Sequence, residues 1–338
     1  MLTIAIPTFN RAAQLDRQLA WLAVAVAGHE HQVELVVSDN SSSDSTPEVT
    51  SRWQAVLGPE LLQVRRQPEN IGAIRNIRDC LVRAREPHVW VVGDDDVLSP
   101  AAVTAVVERL ARHPDLALLN LGFSSRSAIT GELLFARCYD VDDERVSADG
   151  LAAFSELLAH DYGGVALTSA QVYRADLVRA AVQTWTGAED NLVVQIFWGA
   201  ACAAAGDLQV TEQVWLECSA GTHFFVDDPV LHLRLGFVDV PELAQQLRGL
   251  GYPEPVLREL VLHHLARSEA RVLLRAARHD ARAAAAATTT YACAVRRVGW
   301  SATREHLRHT VLPDLRCYLR EKVRAASGPR RPLSRGAA

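Results

Sequence analysis

Three consecutive aspartates, Asp94, Asp95 and Asp96, follow an apolar run at 88–92 and Gly93. The run reads as a buried strand, and Ser99 with Pro100 reads as the N-cap and first turn of a helix. Three carboxylates therefore crowd the C-terminal end of a strand, where open α/β sheets bind ligands. Adjacent carboxylates repel and raise each other's pKa unless a cation sits among them. A divalent metal chelated to a diphosphate would satisfy them. A solvated acidic turn is the plain alternative.

Three more polar clusters fall where apolar runs end. They are Pro7-Thr8-Phe9-Asn10-Arg11, Ser38-Asp39-Asn40 with its Ser/Asp/Thr continuation to Thr46, and Asn70-Ile71-Gly72 leading to Arg75-Asn76. Each alone fits a capped turn. Together they put polar groups on one rim of one sheet.

The elements that must position them alternate. Strands are expected at 2–8, 33–37, 61–65, 88–92 and 116–123. Helices are expected at 10–26 with Asn10 as cap, from Ser45 or Thr46, at 72–85 and at 100–112. Short apolar strands between amphipathic helices mean an α/β chain with a mainly parallel sheet and helices on both faces. Further on, 151–160 and 191–204 read as helices, and 163–167, 171–173 and 208–218 as strands. From Pro255 to Ala325 the pattern is almost wholly helical.

Composition fits a soluble globular chain: 338 residues, 49% hydrophobic and 22% charged. No apolar run approaches the ~20 residues a bilayer span needs, and the first residues lack a basic signal-peptide region. A cytoplasmic protein is expected. The six scattered cysteines form no CxxC pair, so reduced structural thiols are expected rather than zinc. The net charge of -5 conceals a split: from Pro255 onward 17 basic residues face 6 acidic ones. That leaves the tail at +11 and the rest at -16.

In order and spacing, the four clusters resemble those of the family 2 glycosyltransferases. The likeness is strong over 2–123, weaker to about 225, and absent from the helical tail. Within the family, the Gly-Asp-Asp-Asp-Val-Leu form looks most like bacterial transferases acting on surface glycans. The resemblance implies the GT-A fold: a Rossmann-like, mainly parallel sheet with flanking helices, here followed by a C-terminal helical region. It implies a GT-A domain over 1–225, divided into a nucleotide-sugar-binding half (1–123) and an acceptor half (124–225). A connection (226–254), a helical region (255–325) and a disordered tail (326–338) would follow. The family's common pattern is Asp-x-Asp-Asp, and Gly93 stands in place of the first aspartate.

The resemblance further implies an inverting transferase using Mn²⁺ or Mg²⁺ and a nucleotide-sugar donor. Asp95 falls on the metal position with Asp96 beside it, and Asp94 near the donor's ribose or sugar. Pro7, Thr8, Asn10, Arg11, Asn70, Gly72 and Arg75 join the donor site, with Arg75 meeting a phosphate or the aspartates. Asp39 can accept a hydrogen bond from the N3–H of uracil or thymine. This favours a UDP or dTDP donor over CDP and leaves GDP open; an Asx turn with Ser41 or Ser42 is the structural alternative. The family's base is commonly the aspartate of a Glu-Asp pair. Asp190 is the candidate and Glu189 the fallback, with burial expected to raise the carboxylate's pKa toward neutrality. His223 is a candidate for the metal or diphosphate, and Trp185 for stacking on an acceptor sugar.

The acceptor class stays open among glycans, lipid-linked and small-molecule acceptors, and no nucleic-acid partner is expected. The basic tail suits a peripheral contact with the inner membrane face, a second subunit, or packing on the sheet. A nucleotidyltransferase is the enzymatic rival, although Pro7-Thr8-Phe9-Asn10-Arg11 is no glycine-rich phosphate loop. A dehydrogenase is disfavoured because no GxGxxG follows the first strand. A non-catalytic glycan-binding relative is the third reading, and Gly93 is what supports it.

Overall fold

Strand β1 (Leu2–Thr8) is buried at all but one position and β2 (Val33–Asp39) at every one, as parallel strands covered on both faces must be. Between them α1 (Ala12–Ala25) buries Leu15, Leu19 and Leu22, the stripe of a helix lying on a sheet. The computed structural model describes residues 1–139, 141, 144–221, 228–265, 267–299, 301, 303, 304, 307 and 308. After β2 come α2 (Thr46–Leu57), β3 (Leu62–Arg66), α3 (Ala73–Arg83), β4 (His88–Val91), the two-residue β5 (Val97–Leu98) and α4 (Ala102–Arg112). The second part holds β6 (Leu118–Ser127), β7 (Leu133–Phe135), β8 (Val146–Ser147), α5 (Gly150–His160), β9 (Gln171–Arg174), α6 (Ala175–Thr184), α7 (Val194–Ala205) and β10 (Leu208–Ala220).

These strands form one sheet in the order β3-β2-β1-β4-β9-β6-β10-β5, with β7 on β6 and β8 on β10. The first four strands are mutually parallel. The sheet is continued by β9, antiparallel to both β4 and β6. Because β1, β2 and β4 run the same way, the chain leaves all three at one rim. The expected polar clusters meet there.

Within the expected connection (226–254), residues 229–249 are helical: α8 (Pro229–Arg234), a π-helical turn (Leu235–Asp239) and α9 (Val240–Gly249). Helices α10 (Glu254–Leu262), α11 (Arg267–His279) and α12 (Ala281–Val298) follow. Tyr291 of α12 is buried, stacks on Phe237 of the π-turn at 4.3 Å, and donates to the carbonyl of Val261 at 2.8 Å. The helical region thus packs on α8–α10 at least through Tyr291. The remaining stretch to Ala325 and the tail 326–338 lie outside the described residues, a few positions apart.

Three local expectations fail. The stretch 163–167 forms no strand; it lies in two 3₁₀ turns, Gly164–Ala166 and Thr168–Ala170. There Asp161 draws the chain into a turn, its carboxylate accepting from Gly163 N and its carbonyl from Gly164 N. Ser99 does not cap α4, which begins at Ala102 without a side-chain cap. Asn10 does not cap α1: its φ is +53°, and Asp44, from the loop after β2, accepts from the Ala12 amide instead. Cys80, Cys138, Cys202 and Cys218 are buried free thiols. Among the described residues, no helix is long and apolar enough to cross a membrane.

Candidate active site

The loops after β1 and β2 are laced together. Asn10 donates its amide to Ser42 Oγ at 2.9 Å, and its side-chain oxygen accepts from Ser43 N at 2.8 Å. Asn10 and Ser41 are, among the described residues, the non-glycine ones with positive φ, a local cost met by this cross-loop bonding. From the same β1 loop, Thr8 donates to Asp94 Oδ2 at 2.7 Å. Arg11 Nη1 donates to Asp94 Oδ1 at 2.9 Å and to Asp95 Oδ2 at 2.7 Å. The N-terminal motif and the aspartate run therefore form one cluster.

Asp94 and Asp96 are buried, while Asp95 is half-buried. Burial pushes the Asp94 carboxyl up, opposed by Thr8 and Arg11. Burial also pushes Asp96 up to about 6, aided by repulsion from Asp95 and Asp94 and opposed by a hydrogen bond from Ser169. Ser169 in turn accepts from Gly93 N at 2.8 Å. Gly93 explains its own departure from the family pattern. A Cβ there would stand 2.9 Å from Asp96 Oδ2 and 3.3 Å from Asp95 Oδ1. The missing side chain leaves the place into which these carboxylates converge. The hard oxygen donors of Asp95 and Asp96 beside a third carboxylate fit Mg²⁺ or Mn²⁺.

Asp39 is 3% exposed at its side chain and fully engaged. One oxygen accepts from Ser42 N at 2.9 Å, the Asx turn that was the structural alternative for this residue. The other accepts from Arg66 Nη1 at 2.7 Å, while Arg66 Nη2 reaches the Ser42 carbonyl. A nucleobase N–H would have to share or displace Arg66. The sequence reading missed Arg66, although it ends β3 as the register partner of Asp39. Next to it, Asn40 donates to Asn70 Oδ1 at 2.8 Å and accepts from Ile71 N, and Gly72 N donates to the same Asn70 oxygen. Gly72 takes φ +88° at the start of α3, a conformation that suits glycine.

Arg75 does not meet the aspartates; it pairs with Glu189 at 2.9 Å, with Arg78 at 3.7 Å from the same carboxylate. Asp190 accepts from Arg234 Nη1 at 2.8 Å. That hydrogen bond, with the charge behind it, holds the Asp190 carboxyl below its usual range. The expected upward shift is absent because the group is exposed and faces a cation. Trp185 is half-buried, edge-on to Phe197 and bonded to the Ala188 carbonyl. Trp198 and Trp215 are core residues. His223 lies outside the described residues, which hold no cluster of three or more His, Cys, Asp or Glu side chains already arranged for a metal.

The sheet order and its polar rim define a GT-A fold, and solved structures share it. TarS residues 1–349 of S. aureus in complex with UDP-GlcNAc superposes with a TM-score of 0.64 at 15% identity, over 96% of this chain and 92% of TarS. The mannosyltransferase PcManGT of Pyrobaculum calidifontis, in complex with GDP-Man and Mn²⁺, gives 0.54 at 16% identity over 97% and 81%. Residues 3–128 match the model of glycosyl transferase family 2. Abequosyltransferase RfbV of Salmonella typhimurium is 26% identical over 121 residues, 35% of either chain. Validoxylamine A glucosyltransferase of Streptomyces hygroscopicus is 44% identical over 54 residues, 16% of this chain and 13% of that one. The match thus spans about a third or less of these curated relatives.

Proposed function

We propose that this chain is an inverting glycosyltransferase that moves a hexose-type sugar from a nucleotide diphosphate donor to an acceptor hydroxyl. The observation that carries the reading is the Arg11 bridge. It fastens Asp94 and Asp95, beyond β4, to the β1 loop on the rim where Asp39, Asn70 and Gly72 also lie. Pro7, Thr8, Asn10, Arg11, Asp39, Asn70, Gly72, Arg75 and Asp94 would form the donor site. A UDP- or dTDP-sugar suits Asp39 as acceptor of a base N3–H; the GDP-Man complex of PcManGT keeps a GDP-sugar in play. Asp95 and Asp96 would hold Mn²⁺ or Mg²⁺. When bound, the ion would offset the charge that grows on the departing diphosphate. Asp190 would take the proton of the acceptor hydroxyl as that oxygen attacks the anomeric carbon in line, with Glu189 as fallback. The names of the curated relatives support a setting in bacterial glycan or glycosylated-metabolite biosynthesis.

A panel of nucleotide sugars incubated with the protein and Mn²⁺, scored by nucleotide release and acceptor-dependent transfer, tests the reading. One donor should be turned over. EDTA and Asp95→Asn should each remove most of the turnover. Asp190→Asn should lower kcat by about 10²-fold while donor affinity stays near wild type. Full activity in EDTA would sink the metal assignment. Turnover intact in Asp190→Asn and lost in Glu189→Gln would move the base by one residue.

A further inference from the structure

The segment carrying Glu189 and Asp190 is fastened largely from one side, by the helices after Asp228. Glu242 of α9 accepts from Ala188 N at 3.1 Å and from Asn191 Nδ2 at 2.8 Å. Asp239, fully buried at the end of the π-turn, accepts from Leu192 N at 3.1 Å, and its carbonyl accepts from Asn191 Nδ2. Arg234 joins the two sets. Its Nη1 and Nη2 donate to the carboxylate and carbonyl of Asp190 at 2.8 and 2.5 Å, and its Nε to Asp239 Oδ1 at 3.2 Å. A guanidinium is a rigid planar fork, so a group it holds on two edges is fixed in direction as well as charge. Here one edge is anchored on a buried carboxylate and the other on the candidate base. The π-turn belongs to this geometry: Arg234 ends α8, Asp239 closes the turn, and both face the 190–192 backbone. Isolated π-turns within helices are frequent at functional sites.

We infer that Arg234, anchored by Asp239, is a positioning residue that orients Asp190 for proton transfer, so that the helices after Asp228 complete the active site. The inference rests on Asp190 being the base. Around Asp190 the charged groups are Arg234 and, more distantly, Arg75, with Glu189 adjacent. Around Arg234 they are Asp190 and Asp239, and Asp239 also feels Glu242. Because Arg234 stabilises the carboxylate, its removal moves the titration of Asp190 to higher pH. The base form is then lost sooner as pH falls.

Two measurements on the full chain separate this inference from the function it rests on. The first needs no turnover. Carboxyl-labelled aspartate, with the Asp190 resonance assigned by its loss in Asp190→Asn, is titrated by NMR. In Arg234→Gln the Asp190 carboxyl should titrate at higher pH than in the wild type, and Arg234→Lys should retain part of the depression. An unmoved titration in Arg234→Gln overturns the inference, whatever the enzyme does. The second is kinetic. Arg234→Gln should lower kcat about 10-fold to 10²-fold, with donor KM within about twofold. Asp239→Asn, which weakens the anchor by turning one of its two accepting oxygens into a donor but keeps the guanidinium's charge, should lower kcat without moving the Asp190 titration upward. Wild-type kcat in both variants overturns the positioning role. If Asp190→Asn itself turns over normally, the base assignment falls and the NMR result still decides the pairing.

Discussion

Arg11 donates to Asp95 at 2.7 Å while the same nitrogen holds Asp94 at 2.9 Å. One cation thus spans two neighbouring carboxylates. Arg11→Ala should lower stability by about 1–3 kcal/mol, the cost of leaving a buried acceptor without a charged partner. Mn²⁺ should then raise the thermal midpoint more in Arg11→Ala than in the wild type, because the divalent ion supplies the missing positive charge. Equal shifts would argue against a cation site at Asp95 and Asp96.

Gly93 stands where the Asp-x-Asp-Asp pattern this chain resembles has an aspartate, and contact geometry bears on the difference. Its Cβ would meet Asp96 Oδ2 at 2.9 Å, closer than such atoms normally approach. Gly93→Ala should therefore displace a carboxylate that the surrounding sheet has no need to move. The expected result is an unchanged circular dichroism spectrum, an apparent Mn²⁺ affinity weakened about 10-fold, and lower turnover. Unaltered Mn²⁺ dependence would mean that the Asp96 carboxylate has no part in the site.

Ser38 and Asn76 bond in both directions: Ser38 Oγ to Asn76 Oδ1 at 2.8 Å and Asn76 Nδ2 to the Ser38 carbonyl at 2.9 Å. Both are buried, so the pair fixes the first turns of α3 against the end of β2. Asn76→Ala leaves buried groups unpaired and should cost roughly 2–3 kcal/mol in urea unfolding. It should also weaken donor binding, since Asn70 and Gly72 ride on the same helix start.

The strands and the rim were legible because both are local signals. Apolar runs such as 2–8 and 33–37 carry their burial in their own composition, and a polar cluster at a strand's end needs no distant partner to be noticed. The turns at 163–170 were missed although their cause, Asp161, is local; two other misreadings depend on something far along the chain. Asn10 reads as a cap by residue type, yet Ser42 and Ser43 from another loop claim it and Asp44 takes over α1. The pairing of Asp190 with Arg234 crosses 44 residues and depends on a π-turn that no periodicity announces. That pairing also reversed the expected direction of the Asp190 shift. Arg66 was the recoverable omission: two parallel strands ending together bring their last residues side by side, and an arginine ending the strand after Asp39 was visible.

Asp239 offers a test by pH. Burial pushes its carboxyl from 3.8 up to about 6, with Glu242 adding to the rise and Arg234 and the Leu192 amide opposing it. A raised acid pKa means that the folded state binds the proton more tightly than the unfolded chain. The stabilising effect is therefore fully present below pH 3.8 and is lost as pH rises toward 6. Asp239→Asn abolishes that titration. The stability of the wild type relative to Asp239→Asn should fall by roughly 2–3 kcal/mol between pH 4 and pH 7. Asp190 adds little slope in this window, since its shift lies in the other direction and the group is exposed. Urea unfolding of both proteins at a few pH values across that range reads the difference directly. A difference that stays flat would show that Arg234 and the Leu192 amide fully compensate the buried charge, and that the anchor of the Arg234 clamp is ionised throughout.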